Sequence, residues 1–194
     1  MGKGRFEAFS DGVIAIIITI MVLELRVPEG GELRSLTPLI PKFLSYVLSF
    51  IYLGIYWNNH HHMLHAIKEV NGASLWANLH LLFWLSLIPF TTAWMGENHF
   101  TKWPVALYGF VLFMDAIAYT ILSQTLIHNR EKDNKLAQAI GSDTKGKISL
   151  LLYAIAIGVA FLKEEISLAI YAIVALIWII PDKRIEKTLL KEEE

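Results

Sequence analysis

The 194-residue sequence has no cysteine, which excludes disulfides, thiolate metal sites and cysteine nucleophiles. Charge is scarce: Asp, Glu, Lys and Arg make up 18% of the residues, where soluble domains carry about 25%. Neither sign dominates, with a net charge of −1 and a pI near 6.7, so no basic field points to nucleic acid. We find no low-complexity tract, no convincing internal repeat and no stretch that reads as an attached soluble domain. No cleavable signal is expected, because Glu7 and Asp11 interrupt the first apolar stretch and no small-residue cleavage site follows it. What the sequence has is apolar surface. Hydrophobic residues reach 55% and mean hydropathy is +0.47, which argues against an ordinary soluble enzyme and for a membrane protein.

Stretches without Asp, Glu, Lys or Arg locate the spans. Phe43–Ile67 and Val70–Gly96 are uninterrupted, and Trp103–Asn129 is broken only by Asp115. Each exceeds the roughly 20 residues a spanning helix needs. Ile148–Leu162 and Ile166–Pro181 are shorter, and need Lys147, Lys163 and Lys183 to snorkel unless they form an embedded hairpin. Gly12–Leu23 becomes long enough when Asp11 and Glu24 are admitted. The expectation is an all-α polytopic protein, one domain over residues 1–194, with helices near 5–27, 43–67, 72–95, 103–128, 146–162 and 166–181. Residues 27–41 read as a Pro/Gly-broken outer loop, 129–147 as a polar loop and 182–194 as a charged, solvated tail.

Lysine and arginine placement sets the orientation. Of the 17 such residues, twelve fall on the side of the termini and the 2–3 and 4–5 loops, and five (Arg26, Arg34, Lys42, Lys102 and Lys163) on the other. Both termini are therefore expected in the cytoplasm. Trp94 and Trp103 then mark the outer interface, and Trp76 and Trp178 the inner one.

Ionisable groups within a membrane are costly, so each is a candidate for function. Helix 1 climbs at about 1.5 Å per residue, which leaves Arg5, Ser10 and Asp11 in its inner part. Helix 2 descends and brings Trp57, Asn58, Asn59, His60, His61, His62 and His65 to the same depth, and helix 3 starts there with Asn78 and His80. Buried polar groups require partners. The simplest reading is a hydrogen-bond network that clamps helices 1, 2 and 3. A second makes Asp11 or a histidine proton-sensitive. A third takes the helix-2 histidines as metal ligands, since His61 and His65 are spaced i, i+4; histidine-box membrane enzymes need more boxes than seven histidines supply. Asp115 falls near mid-membrane, either paired with a neighbouring helix or facing water. Pro89 frees a backbone carbonyl one turn earlier, and a kink is expected there, with Thr91 and Thr92 helping to satisfy the local backbone.

The run from Gly12 to Leu23 is apolar all round, so periodicity does not say which face points where. Ile16, Ile20 and Leu23 fall at i, i+4 and i+7, with Thr19 alongside. In one chain such a stripe packs or meets lipid. Repeated about an axis, it makes aliphatic rings that gate by dewetting, and Thr19 offers the only side-chain oxygens on that stretch.

The pattern Arg5-Phe6-Glu7-Ala8-Phe9-Ser10-Asp11-Gly12-Val13-Ile14-Ala15-Ile16, followed by Thr19 and by Leu23 to Pro28, resembles the first-helix signature of the transmembrane protein 175 family of potassium channels. Tyr56-Trp57-Asn58-Asn59-His60-His61 continues it, as do Asn78, Leu87-Ile88-Pro89-Phe90-Thr91-Thr92 and Trp178-Ile179-Ile180-Pro181. The resemblance implies a six-helix repeat that, present once, assembles as a prokaryotic homotetramer with helix 1 lining a central pore. It implies no carbonyl filter of the Thr-Val-Gly-Tyr-Gly kind, and the sequence contains no such segment. It further implies a narrowest ring at Ile16, outer rings at Ile20 and Leu23, and a hydroxyl tied to potassium preference at Thr19. Arg5, Phe9, Ser10, Asp11, Trp57, His60, His61 and Asn78 then correspond to the family's interhelical network.

The expected function is a potassium-preferring cation channel in the cell membrane, of the prokaryotic cytoplasmic type. Its partners would be its own copies, the lipid bilayer and permeant K+ with other monovalent cations; no cofactor, resident metal, catalysis or nucleic acid enters. The alternatives from other classes are a membrane-embedded histidine metalloenzyme and a proton-coupled carrier using Asp11, Asp115 and the histidines.

Overall fold

The structure, a computed structural model, describes residues 2–65, 67, 69–128 and 143–179. Its regular elements there are all helical: α1 (Lys3–Leu23), a 3-10 segment (Leu33–Leu39), α2 (Ile40–His65), α3 (Gly72–Leu85), α4 (Ile88–Glu97), α5 (Lys102–His128), α6 (Thr144–Val159) and α7 (Glu164–Ile179). Most of the polar loop 129–147, the tail 182–194, Ile180 and Pro181 lie outside the described residues.

Helix α1 stops at Leu23, before the expected residue 27, because Pro28 and the Gly30-Gly31 pair follow. Gly30 has φ +102°, a backbone state that side-chain-bearing residues avoid. The stretch expected to be loop up to residue 41 is instead partly helical. The 3-10 segment runs straight into α2, and Pro41 is tolerated at the start of α2 because first-turn N–H groups have no partner there.

The third span is two helices. α3 begins at an Asn71 cap, whose side chain accepts from the Ser74 N–H at 2.9 Å, and ends at Leu85. Pro89 has no N–H to give the Leu85 carbonyl, so the chain breaks at Ser86–Leu87 and restarts as α4. Thr92 Oγ1 donates to the Ile88 carbonyl at 2.6 Å and Thr91 Oγ1 lies 3.2 Å from those of Leu87 and Ile88. These bonds satisfy carbonyls just after the break.

Among the described residues, four segments are long and apolar enough to cross a membrane: Lys3–Leu23, Leu33–His65, Gly72–Glu97 and Lys102–Ile127. α6 and α7 have 16 described residues each, about 24 Å of helix against a hydrocarbon core of about 30 Å. They form a hairpin through the turn at 160–163.

α5 is central, packing on α3, α4, α6 and α7, while α2 packs on α4 and α1 on α2, α3 and α4. Lipid supplies little hydrophobic drive between helices, so close approach and hydrogen bonds hold the bundle. A Cβ on Gly109 of α5 would run into the Tyr171 ring and hydroxyl of α7. Tyr171 donates to the Val105 carbonyl at 3.2 Å, and Tyr52 to that of Tyr171 at 2.6 Å. Ser49 bridges α2 to Thr92 at 2.6 Å and to Tyr108 at 3.0 Å. Asp115 is fully buried on α5, and neither of its carboxyl oxygens has a hydrogen-bond partner among the described residues.

Candidate pore helix and its supporting network

Helix α1 has two unlike faces. Phe6, Ser10, Ile14, Ile17 and Met21 are buried, at helical spacing, against α2, α3 and α4. Phe9, Ile16, Ile20 and Leu23 lie on the exposed side, with Ile16 59% and Leu23 77% exposed. Thr19 is exposed beside them, and its hydroxyl donates to the Ile16 carbonyl at 2.8 Å. That bond uses the proton and leaves the oxygen's outward side available as an acceptor. Ile16 and Ile20 also form one wall of a groove of about 670 Å³ against Pro89, Phe90 and Trp94 of α4.

Behind this stripe a set of polar side chains joins α1, α2 and α3. Ser10 Oγ donates to the Phe6 carbonyl at 3.0 Å. The Asn78 amide nitrogen donates to Ser10 Oγ at 2.9 Å, and Asn78 Oδ1 lies 2.9 Å from His60 Nε2. All three residues are buried. The His60 ring stacks on Phe6 with centroids 6.2 Å apart and planes 9° apart. Nearer the surface, the Trp57 indole N–H donates to Asp11 Oδ1 at 3.0 Å.

The structure thus brings together Ser10, Asn78 and His60 as one set and Asp11 with Trp57 as another. The side chains of the other three expected network residues make no hydrogen bond to either set among the described residues. His61 stacks on Trp57 and faces Glu7, away from Asn78. Phe9 lies on the exposed side of α1, and the Arg5 side chain is exposed and makes no hydrogen bond or ion pair among the described residues, while its backbone N–H donates to the Gly2 carbonyl at 3.2 Å. His80, for which the sequence suggests no role, accepts from the Trp84 indole at 2.9 Å within α3. Sequence reasoning gives Glu7 no role, although its place one turn before Asp11 is a signal that points it toward the same end of α2.

Comparison with known proteins places this architecture. The profile of the family described as endosomal/lysosomal potassium channel TMEM175 matches residues 5–89. A curated potassium channel of Chryseobacterium sp. (strain P1-3) is 59% identical over 189 residues, covering 97% of this chain and 98% of the relative. The chain belongs to the TMEM175 family. A second relative, a potassium channel of Streptomyces collinus, is 31% identical over 185 residues and 90% of each chain. The crystal structure of a lysosomal potassium-selective channel TMEM175 homolog from Chamaesiphon minutus superposes with a TM-score of 0.81 at 28% identity, covering 93% of this chain and 97% of that one. The all-helical fold is therefore that of a TMEM175 membrane channel, and the family is one of channels, not of enzymes.

Proposed function

We propose that this TMEM175-family chain is a potassium-preferring cation channel that works as a homotetramer in a prokaryotic cytoplasmic membrane, with both termini in the cytoplasm. The observation that carries this is the two-faced α1: its polar and bulky face is anchored to α2 and α3, while Ile16, Ile20 and Leu23 stand in register on its exposed side. Four such stripes around an axis make stacked aliphatic rings. Ile16 is the narrowest of them in this reading, and the barrier there is the dehydration of an ion in an apolar constriction. Thr19, one turn further along α1, presents its hydroxyl oxygens to a partly dehydrated cation and sets the preference for K+. The Ser10–Asn78–His60 and Asp11–Trp57 bonds hold the helix at a fixed rotation, so that the same side chains meet the axis.

The test is flux from proteoliposomes down a potassium gradient, repeated with sodium in place of potassium. Rapid flux favouring potassium is expected, and Ile16→Asn should raise it and lower the preference, since a wettable ring removes the dehydration barrier. Flux and preference unchanged in Ile16→Asn would remove Ile16 as the constriction. A mass measurement in micelles other than that of four chains would overturn the tetramer.

A further inference from the structure

Glu7 lies one turn before Asp11 on α1, and His61 and His65 lie one turn apart at the end of α2. The rotation that gives Asp11 to Trp57 therefore aims Glu7 at the last turn of α2. His61 Nδ1 is 3.2 Å from Glu7 Oε1, and His65 Nε2 is 3.9 Å from the same oxygen. The two imidazole rings are 4.4 Å apart, and the three potential donor atoms all lie within 4.8 Å of one another.

A hydrogen bond accounts for only one of these approaches, because 3.9 Å is beyond its reach. A tetrahedral metal would use both. With bonds of about 2.0–2.2 Å to imidazole nitrogen and carboxylate oxygen, the edges of a zinc tetrahedron are about 3.3 Å. Of the three separations, Glu7–His61 is already of that length, and Glu7–His65 at 3.9 Å and His61–His65 within 4.8 Å both involve the half-exposed His65, whose rotation adjusts them. Two histidines, one carboxylate and a water form a donor set of the open zinc type. Entry is open too, with the Glu7, His61 and His65 side chains 22%, 37% and 52% exposed. The His61 ring is held in advance, stacked on Trp57 at 5.9 Å, whose indole is in turn held by Asp11. A positioned first ligand beside two adaptable ones lowers the ordering needed on binding.

We propose that Glu7, His61 and His65 form a binding site for a divalent transition metal of the zinc type, which staples α1 to α2 at the N-terminal end of α1. The site stands on its own geometry and does not depend on which ion the protein conducts.

The experiment uses the full chain in detergent micelles, with any affinity tag cleaved and bound metal stripped by chelator. Calorimetric titration with zinc chloride should show one zinc per chain, and magnesium chloride, a hard ion that prefers oxygen ligands, should show no comparable binding. Glu7→Gln and His65→Ala should each weaken zinc binding at least tenfold with unchanged circular dichroism. His65→Cys, which keeps a ligand, should restore most of it. Zinc should raise the unfolding midpoint of the parent chain and leave that of His65→Ala in place. No saturable zinc binding, or equal affinity in the parent, Glu7→Gln and His65→Ala, would overturn the site.

Discussion

Asn78 donates its side-chain amide to Ser10 across 2.9 Å, and the direction of that bond decides the tautomer of His60. Ser10 has one proton and gives it to the Phe6 carbonyl, so toward Asn78 it can only accept. The Asn78 nitrogen must therefore face Ser10 and its oxygen must face His60. An amide oxygen only accepts, so His60 Nε2 carries the hydrogen in this bond. One backbone carbonyl of α1 thus orients a chain of groups through α3 into α2.

That chain predicts the effect of breaking it. Ser10→Ala leaves the Asn78 N–H without an acceptor in a buried place, which should destabilise the protein by about 1–3 kcal/mol. Thermal unfolding in micelles measures it, and a double-mutant cycle with Asn78→Leu should give a coupling of about 0.6 kcal/mol, the usual size between membrane helices. A zero coupling would mean that the two residues act independently.

The Asp11–Trp57 bond gives a second expectation. Asp11→Ala should lower the unfolding midpoint by freeing the Trp57 indole, while Asp11→Asn, which keeps an acceptor oxygen, should retain most of the stability. Within one protomer Asp11 acts through Trp57, so Arg5→Ala should have a smaller effect on the protomer's own unfolding than Asp11→Ala. Equal midpoints for Asp11→Ala and the parent chain would remove this bond from the clamp.

For ion preference the sharpest substitution is Thr19→Val. It keeps the branched shape of the side chain and removes its oxygen. Flux in proteoliposomes should persist while the preference for potassium over sodium falls. A preference that is unchanged in Thr19→Val would place its source elsewhere.

Gly109→Ala tests the packing of α5 on α7, because the added methyl meets the ring and hydroxyl of Tyr171. Overpacking of this kind typically costs about 1–3 kcal/mol. Tyr171→Phe should restore part of the loss by removing the hydroxyl nearest the new methyl. A Gly109→Ala chain as stable as its parent would show that the two helices part without strain.

Asp115 predicts the opposite sign. Its carboxyl is buried without a hydrogen-bond partner among the described residues, and an unpaired ionisable group in such a place opposes folding. Asp115→Asn keeps the shape and cannot ionise, so the midpoint at pH 8 should stay level or rise. A marked fall would show that the carboxylate itself is required.

Membrane character, the helical class and the break near Pro89 were legible in the sequence, because hydropathy and proline act locally; of the six expected spans, four are long enough to cross a membrane among the described residues. The common depth of Ser10, Asp11, Trp57, the histidines and Asn78 was legible for the same reason: rise per residue is constant along a helix. Rotation about the helix axis was not. Histidines at 60, 61 and 62 project about 100° apart, so a depth argument treats them alike while only His60 points at Asn78. Pro/Gly content marked 27–41 as loop, yet Leu33–Leu39 is helical, because its own residues and the run into α2 favour a 3-10 turn.

By itself the sequence determined the solvent, the all-helical class and, through its first-helix motif, the family resemblance; these follow from composition and order along the chain. Only the tertiary structure decided which side of α1 is buried, which histidine closes the Ser10–Asn78 chain, and that Glu7 faces His61 and His65. An apolar helix has no amphipathic stripe to announce its orientation. That choice is made by the few polar atoms that must find partners when the helices meet.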